Sequence, residues 1–137
     1  MKLDSSAFLA DPELIEALGI RSVPITCGAD RILFHQGEAP QGLYILQQGE
    51  VTLTMDSASG ATIISSRATS GSLLGLPGLI GNEPYTLTAV AHNGARLGFV
   101  SRDEFTGLMQ TNPLLSLKVL QVLAAEVRSA RHVILDR

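Results

Sequence analysis

The amino-acid sequence predicts a mostly β protein with flanking helices: an antiparallel β-roll or jelly roll, with a short N-terminal helix and a long C-terminal helix. Two observations lead to this fold class. Short β-rich runs fill the middle of the 137-residue chain, and glycines at 37, 49, 60 and 71 separate several of them at an almost constant interval. Gly-containing turns spaced in this way are typical of consecutive antiparallel strands in a sandwich, barrel or jelly roll. We therefore divide the chain into a β-roll domain, residues 1–111, and a C-terminal helix, residues 112–137.

The first predicted element is a short helix that begins at Pro12. Asp11 is a typical N-cap, proline suits the first helical position, and Gly19 marks the end. Leu14 and Leu18 lie on one side of this helix. We expect it to cap the core of the β-roll.

The strands are expected between Arg31 and Ser101. They are Ile32–His35, Leu43–Gln47, Val51–Met55, Thr62–Ser66, Tyr85–Ala91 and Ala95–Val100. Gly49 is predicted to form a tight turn that joins the second and third of these strands as a pair. Apolar and polar residues alternate in that pair, which predicts one buried sheet face and one wet face.

Two helices are expected after the last strand. Ser101 and Glu104 have the spacing of a capping box that starts a short helix, and Asn112-Pro113 opens a longer one over residues 113–135. An apolar heptad seam follows the longer helix, formed by Leu120, Leu123, Val127, Ala130 and Ile134. A 3–4 spacing of this kind predicts a two-stranded coiled coil, and hence a homodimer through residues 113–135. The alternative is a helix that packs only on its own β-roll, for which Leu114, Leu115, Val119, Val122 and Val133 are available off the seam.

Charge and cysteine content narrow the classes of function. Ten basic against thirteen acidic side chains give a net charge of −3, so the chain has no basic footprint for nucleic acid. Cys27 is the only cysteine, which excludes an internal disulfide and a cysteine-held metal cluster, and we expect it to be buried. No apolar stretch reaches the length of a membrane span, and no secretory signal is recognisable, so we expect a cytoplasmic protein without a membrane partner.

Two segments carry a resemblance to a known family. Arg31-Ile-Leu-Phe-His-Gln-Gly-Glu, followed by Gly42-Leu-Tyr-Ile-Leu-Gln-Gln-Gly-Glu-Val, resembles the opening strands of the cyclic-nucleotide-binding fold. The segment Gly71–Ala91, GSLLGLPGLIGNEPYTLTAVA, resembles its phosphate-binding cassette. The order of these segments, with the long helix after them, is similar to the effector (sensor) domain of Crp/Fnr-family transcription regulators. The resemblance implies a non-catalytic domain that senses a small molecule and dimerises.

The cassette departs from the family at its charged positions. The family has a Glu that bonds the ribose and an Arg that pairs with the cyclic phosphate, and by position these are Leu76 and Tyr85 here. No Lys or Arg occurs between Gly71 and Ala95, and Pro77 removes an amide donor from the start of the short cassette helix. A cyclic nucleotide is thus the ligand that the family implies, while the side chains that would hold it are absent.

The candidate pocket residues come from the cassette and, by an ungapped count, from the long helix. They are Gly75, Leu76, Pro77, Gly78, Tyr85, Thr86, Ala130 and Arg131. An apolar or aromatic effector and a collapsed cassette without a ligand both remain open. The effector itself is not identified by the sequence.

Three alternatives remain beside the sensor interpretation. One is a stand-alone dimerisation module without an effector, and the other two are a cupin-like metalloenzyme and a haem sensor. A cupin needs a closely spaced His pair, whereas His35, His92 and His132 each stand alone. In full-length Crp/Fnr regulators a helix-turn-helix follows the long helix, so we expect DNA contact only through a domain that is not present in this chain.

Overall fold

A computed structural model of the chain describes the backbone of residues 8–135 and the side chains of residues 8–128. Four helices and eight strands follow one another in this part of the chain. They are α1 (Pro12–Ile20), β1 (Val23–Thr26), β2 (Arg31–Phe34), β3 (Gly42–Gln48), β4 (Val51–Asp56), β5 (Thr62–Ala68), β6 (Leu73–Leu74), α2 (Leu76–Gly81), β7 (Thr88–Ala91), β8 (Arg96–Ser101), α3 (Arg102–Thr111) and α4 (Pro113–Leu135).

The strands form two four-stranded sheets in which every pairing is antiparallel. The first sheet has the order β1-β8-β3-β6, and the second has the order β2-β7-β4-β5. This is the predicted β-roll with flanking helices, so the fold class is confirmed. The sequence analysis missed β1, which carries Pro24, and the two-residue β6. Both are edge strands, where proline is tolerated and pairing is short.

The predicted pairing of the second and third strands is wrong. Strand β3 pairs with β6 and β8, whereas β4 pairs with β5 and β7. Gly49, at φ +94°, leads the chain from one sheet into the other. The apolar residues of the two strands also belong to different cores: Val51 and Leu53 of β4 lie in one, whereas Leu43 and Ile45 of β3 lie in the other.

Two hydrophobic cores lie on opposite faces of the first sheet. The inner core between the sheets contains Leu46, Leu53 and Leu97, together with Cys27, which is buried as expected. The helix-side core contains Leu43 and Ile45 with the apolar faces of the helices. Strand β3 is therefore buried on both faces, and only the second sheet has the wet face that the alternation predicted.

Polar contacts fix the helices at their predicted starts. The Asp11 carboxylate caps α1 by accepting from the Glu13 amide at 2.9 Å, and Ser101 caps α3 by accepting from the Glu104 amide at 3.3 Å. The Lys118 ammonium of α4 lies 3.0 Å from Asp11, and this contact lowers the pKa of the Asp11 carboxyl. The cap of the first helix thereby ties it to the last helix.

The long helix α4 has one buried face and one exposed apolar face. Leu115, Val119 and Val122 are buried in the helix-side core, as the sequence analysis allowed, but Leu114 is 60% exposed. Leu120 and Val127 of the predicted seam are half exposed, while Leu123 is partly buried against the core. The side chains of Ala130 and Ile134 lie outside the described residues. An apolar stripe is thus exposed on α4. It includes Leu117, so it is displaced slightly around the helix from the predicted seam.

No helix among the described residues is long and apolar enough to cross a lipid bilayer.

Candidate ligand pocket

The cassette begins with a turn that requires glycine. Gly75 has φ +91° and caps the N-terminus of α2, where no side chain supplies a cap. A Cβ atom at this position would lie 2.9 Å from Cε1 of Tyr85 and 3.4 Å from the Gly42 carbonyl oxygen. Only glycine combines this backbone conformation with so close a neighbour. The turn therefore brings the backbone directly against the Tyr85 ring.

Tyr85 is held firmly by its neighbours in the fold. Its ring stacks on Phe34 with a centroid separation of 4.0 Å and an interplanar angle of 21°. Its hydroxyl donates to the Gly42 carbonyl oxygen at 2.7 Å and accepts from the Gln41 amide at 3.2 Å. The residue is 5% exposed. The backbone thus already supplies hydrogen-bond partners for the phenol hydroxyl. Tyr85 is therefore a structural residue that fills space, not a free polar group in the pocket.

An apolar cavity of about 190 Å³ lies beside the Tyr85 ring. Its walls come from the inner face of the second sheet, the start of the cassette, the segment before β7 and α4. Apart from Tyr85 and Glu126, its polar side-chain lining is limited to Thr86. The other lining residues are Phe8, Phe34, Leu53, Met55, Ile64, Leu74, Gly75, Pro77, Gly78, Leu87 and Val127. None of the described residues that line the cavity carries a positive charge.

Glu126 is a pocket residue that the sequence analysis missed. Its side chain is 9% exposed, and its Oε1 is enclosed without a hydrogen-bond partner among the described residues. Burial raises the pKa of this carboxyl from 4.5 to about 8. The sequence does indicate this burial through the spacing of α4. Glu126 continues the 4–3–4 spacing of the buried residues Leu115, Val119 and Val122, which places its carboxyl on the buried face of the helix.

The predicted site residues fall into three groups. Gly75, Pro77, Gly78, Tyr85 and Thr86 come together around the cavity. Leu76 does not line it: the side chain is fully buried in the helix-side core, where it anchors the cassette to the helices.

Ala130 and Arg131 have side chains outside the described residues. The long helix meets the cavity at Glu126 and Val127, about one helical turn before the positions that the ungapped count gave.

The two histidines that the structure describes stand away from the cavity. Nε2 of His92 lies 2.6 Å from the Thr52 hydroxyl, and Nδ1 lies 3.7 Å from the Asp30 carboxylate. His35 is exposed at the end of β2. Within residues 8–128, no three His, Cys, Asp or Glu side chains are grouped in a way that could hold a metal ion.

A β-roll of this topology, with a glycine-led cassette that faces a long C-terminal helix, defines a cyclic-nucleotide-binding type of domain. Residues 24–112 match the family model of the cyclic nucleotide-binding domain. The chain belongs to this family, and the fold recognised from the sequence is confirmed.

Several solved structures share this fold. The catabolite activator protein of Thermus thermophilus superposes with a TM-score of 0.79 and 22% identity, over 90% of this chain and 58% of that one. Oxidized CprK in complex with o-chlorophenolacetic acid gives a TM-score of 0.75 at 14% identity, over 95% of this chain and 53% of that one.

Among curated proteins, lysophospholipase NTE1 of Chaetomium globosum is 22% identical over 86% of this chain. The aligned part is 8% of the length of that protein, so the likeness concerns only a domain of it.

Proposed function

We propose that this chain is the effector-sensing and dimerisation domain of a Crp/Fnr-type regulator, and that its pocket accepts a compact apolar ligand in place of a cyclic nucleotide. The observation that carries the proposal is Tyr85. A neutral ring occupies the position of the phosphate-binding arginine, and both its face and its hydroxyl are engaged by the protein itself.

Loss of the charged pair accounts for the expected weakness toward nucleotides. A charge-assisted hydrogen bond contributes about 1.5–3 kcal/mol. Losing the ribose and phosphate contacts together would therefore lower affinity by roughly 10²–10⁴. Tyr85 adds a steric obstacle, since it packs against Gly75 and Gly78, where a phosphate would approach the backbone.

The cavity supports an apolar effector. Engineered apolar cavities of about 150 Å³ stay dry and bind benzene, and the cavity here is of similar size at about 190 Å³. CprK, a neighbour with the same fold, has been solved with an aromatic acid. That complex is a property of CprK, and it serves as a precedent for a ring-sized effector in this architecture.

The long helix supports a route from the pocket to a dimer. Leu117, Leu120, Ala124 and Val127 are exposed and follow the 3–4–3 spacing of a coiled-coil seam. Val127 also lines the cavity, so one side chain belongs to both surfaces. A ligand that moves this part of α4 would change the seam and any DNA-binding domain attached beyond it.

A thermal-shift titration tests the proposal. Ethylbenzene, a neutral ring-sized probe, should raise the melting temperature, whereas cyclic AMP and cyclic GMP should leave it unchanged at micromolar concentration. A shift of several degrees with micromolar nucleotide would contradict the loss of nucleotide binding. No shift with any of the three compounds would favour the dimerisation module without an effector.

A further inference from the structure

Glu126 is a buried acid in a cavity that is otherwise apolar. Its Oε1 has no hydrogen-bond partner among the described residues, although the side chain is only 9% exposed. Leaving a buried polar group unsatisfied is costly, and native proteins rarely do so without a functional reason. The carboxyl loses its hydrating water when the chain folds. A ligand that pairs with it therefore does not have to supply the free energy of that desolvation.

The protein provides no cation for this carboxyl within the described residues. Lys118, on the same helix, pairs with Asp11 and Glu13 at the start of α1. Arg102 donates to the Asn82 side chain and to the Pro40 carbonyl oxygen. Desolvation alone accounts for the raised pKa of Glu126, with no contribution from a neighbouring charge. The described part of the chain thus offers Glu126 no charged partner.

The geometry points to a ligand of one class: we propose that the pocket selects a compact apolar amine, whose ring or chain fills the cavity and whose ammonium group pairs with Glu126. This inference rests on the proposed function, because it assigns the ligand class of the same pocket. An aromatic acid of the kind bound by CprK is disfavoured, since its carboxylate would meet Glu126 with no cation in the lining.

Proton release supplies an independent readout. At pH 7 the carboxyl of the empty pocket is mostly protonated, because its pKa is about 8. Binding of an ammonium ion favours the carboxylate, so a proton is released to the buffer. Among the described residues that line the cavity, Tyr85 is the only other one with a titratable group, and its hydroxyl is held by backbone groups of Gln41 and Gly42.

Three probes of similar size separate the possible outcomes: phenethylamine, ethylbenzene and phenylpropionate. We expect the wild-type chain to bind phenethylamine about tenfold more tightly than ethylbenzene, the fold-change of a charge-assisted hydrogen bond, and to bind phenylpropionate least. Calorimetry in buffers of different ionisation heat should show proton release with phenethylamine alone. The isosteric Glu126→Gln substitution should abolish the amine preference and the proton release, while ethylbenzene binding persists.

Equal binding of phenethylamine and ethylbenzene to the wild type would overturn the inference but leave the proposed apolar pocket intact. A Glu126→Gln variant that keeps the amine preference would overturn it as well. Absence of binding by all three probes would instead reject the proposed function. The comparison of probes on the wild-type chain decides the matter even where the variant fails to fold.

Discussion

At the scale of single residues, Tyr85 and Glu126 affect the chemistry of the pocket in opposite ways. Tyr85 removes polarity, because its ring and hydroxyl are satisfied within the fold. Glu126 contributes a carboxyl to the same cavity, and its Oε1 has no hydrogen-bond partner among the described residues. The cavity is thus largely apolar with one acidic group, and no described lining residue is positively charged. Such a lining disfavours an anionic ligand.

The buried carboxyl makes stability depend on pH. In the folded chain the pKa of Glu126 is about 8, against 4.5 for the exposed group. Below pH 4.5 the carboxyl is protonated in both the folded and the unfolded state. As the pH rises to about 8 only the unfolded state loses the proton, so the free energy of unfolding falls by roughly 3–5 kcal/mol and then levels off.

Denaturant unfolding of the wild type and of Glu126→Gln between pH 5 and 9 measures this effect. The variant should be the more stable of the two at pH 8, and the difference between the curves should shrink toward pH 5. Substituting the exposed Glu16 by Gln is the matched control and should leave the wild-type slope unchanged. Parallel wild-type and Glu126→Gln curves would show that the carboxyl is not buried in solution.

At the scale of elements, the cassette is held by one turn. Gly75 starts α2, and the backbone there is close to both Tyr85 and Gly42. Leu76 and Leu79, on the other side of the same short helix, are packed into the helix-side core. The cassette therefore contacts both the pocket and the helices.

Replacing Gly75 by alanine should destabilise the fold more than the same change at Gly60. Both glycines have φ near +90°, but a Cβ at Gly60 meets nothing within 4 Å, whereas one at Gly75 meets the Tyr85 ring at 2.9 Å. Gly60→Ala should cost about 1–2 kcal/mol for the backbone alone. Gly75→Ala should cost about 1–3 kcal/mol more because of overpacking. Chemical denaturation of both variants checks this, and equal losses would mean that the ring moves aside freely.

At the scale of the whole molecule, α4 has one face in the helix-side core and another that is apolar and exposed. The buried face reaches Glu126 in the pocket, and the exposed face carries Leu117, Leu120 and Val127. An uncharged apolar stripe with coiled-coil spacing is complementary to itself. A second copy of the chain is thus the partner that this surface fits best.

We expect Leu120→Glu to convert a dimer into a monomer in sedimentation velocity runs. Leu120 is 55% exposed and lies in the centre of the stripe, so the change removes seam contacts without opening a core. The neighbouring Gln121 is also exposed, and Gln121→Glu adds the same charge beside the stripe. That control should stay dimeric. A wild type that sediments as a monomer would contradict the dimer.

Much of the fold follows from local patterns. The caps at Asp11 and Ser101, the span of the long helix, most strands and the turn glycines are all where the sequence predicted them. Each of these features depends on residues that are close together in the chain. Helix caps, hydrophobic periodicity and left-handed turns can therefore be predicted from neighbouring residues alone. The cassette could be recognised for the same reason, because its glycines and proline lie close together in the chain.

The pocket was decided by contacts between distant segments. The sequence determined that no Lys or Arg lies between Gly71 and Ala95, but only the tertiary structure brings the Tyr85 hydroxyl to Gly42 and the Glu126 carboxyl into the cavity. It also decided that β3 pairs with β8 rather than with β4. The physical reason is that burial and hydrogen bonding across the fold depend on three-dimensional neighbours. Residue spacing limits those neighbours, but it does not specify them.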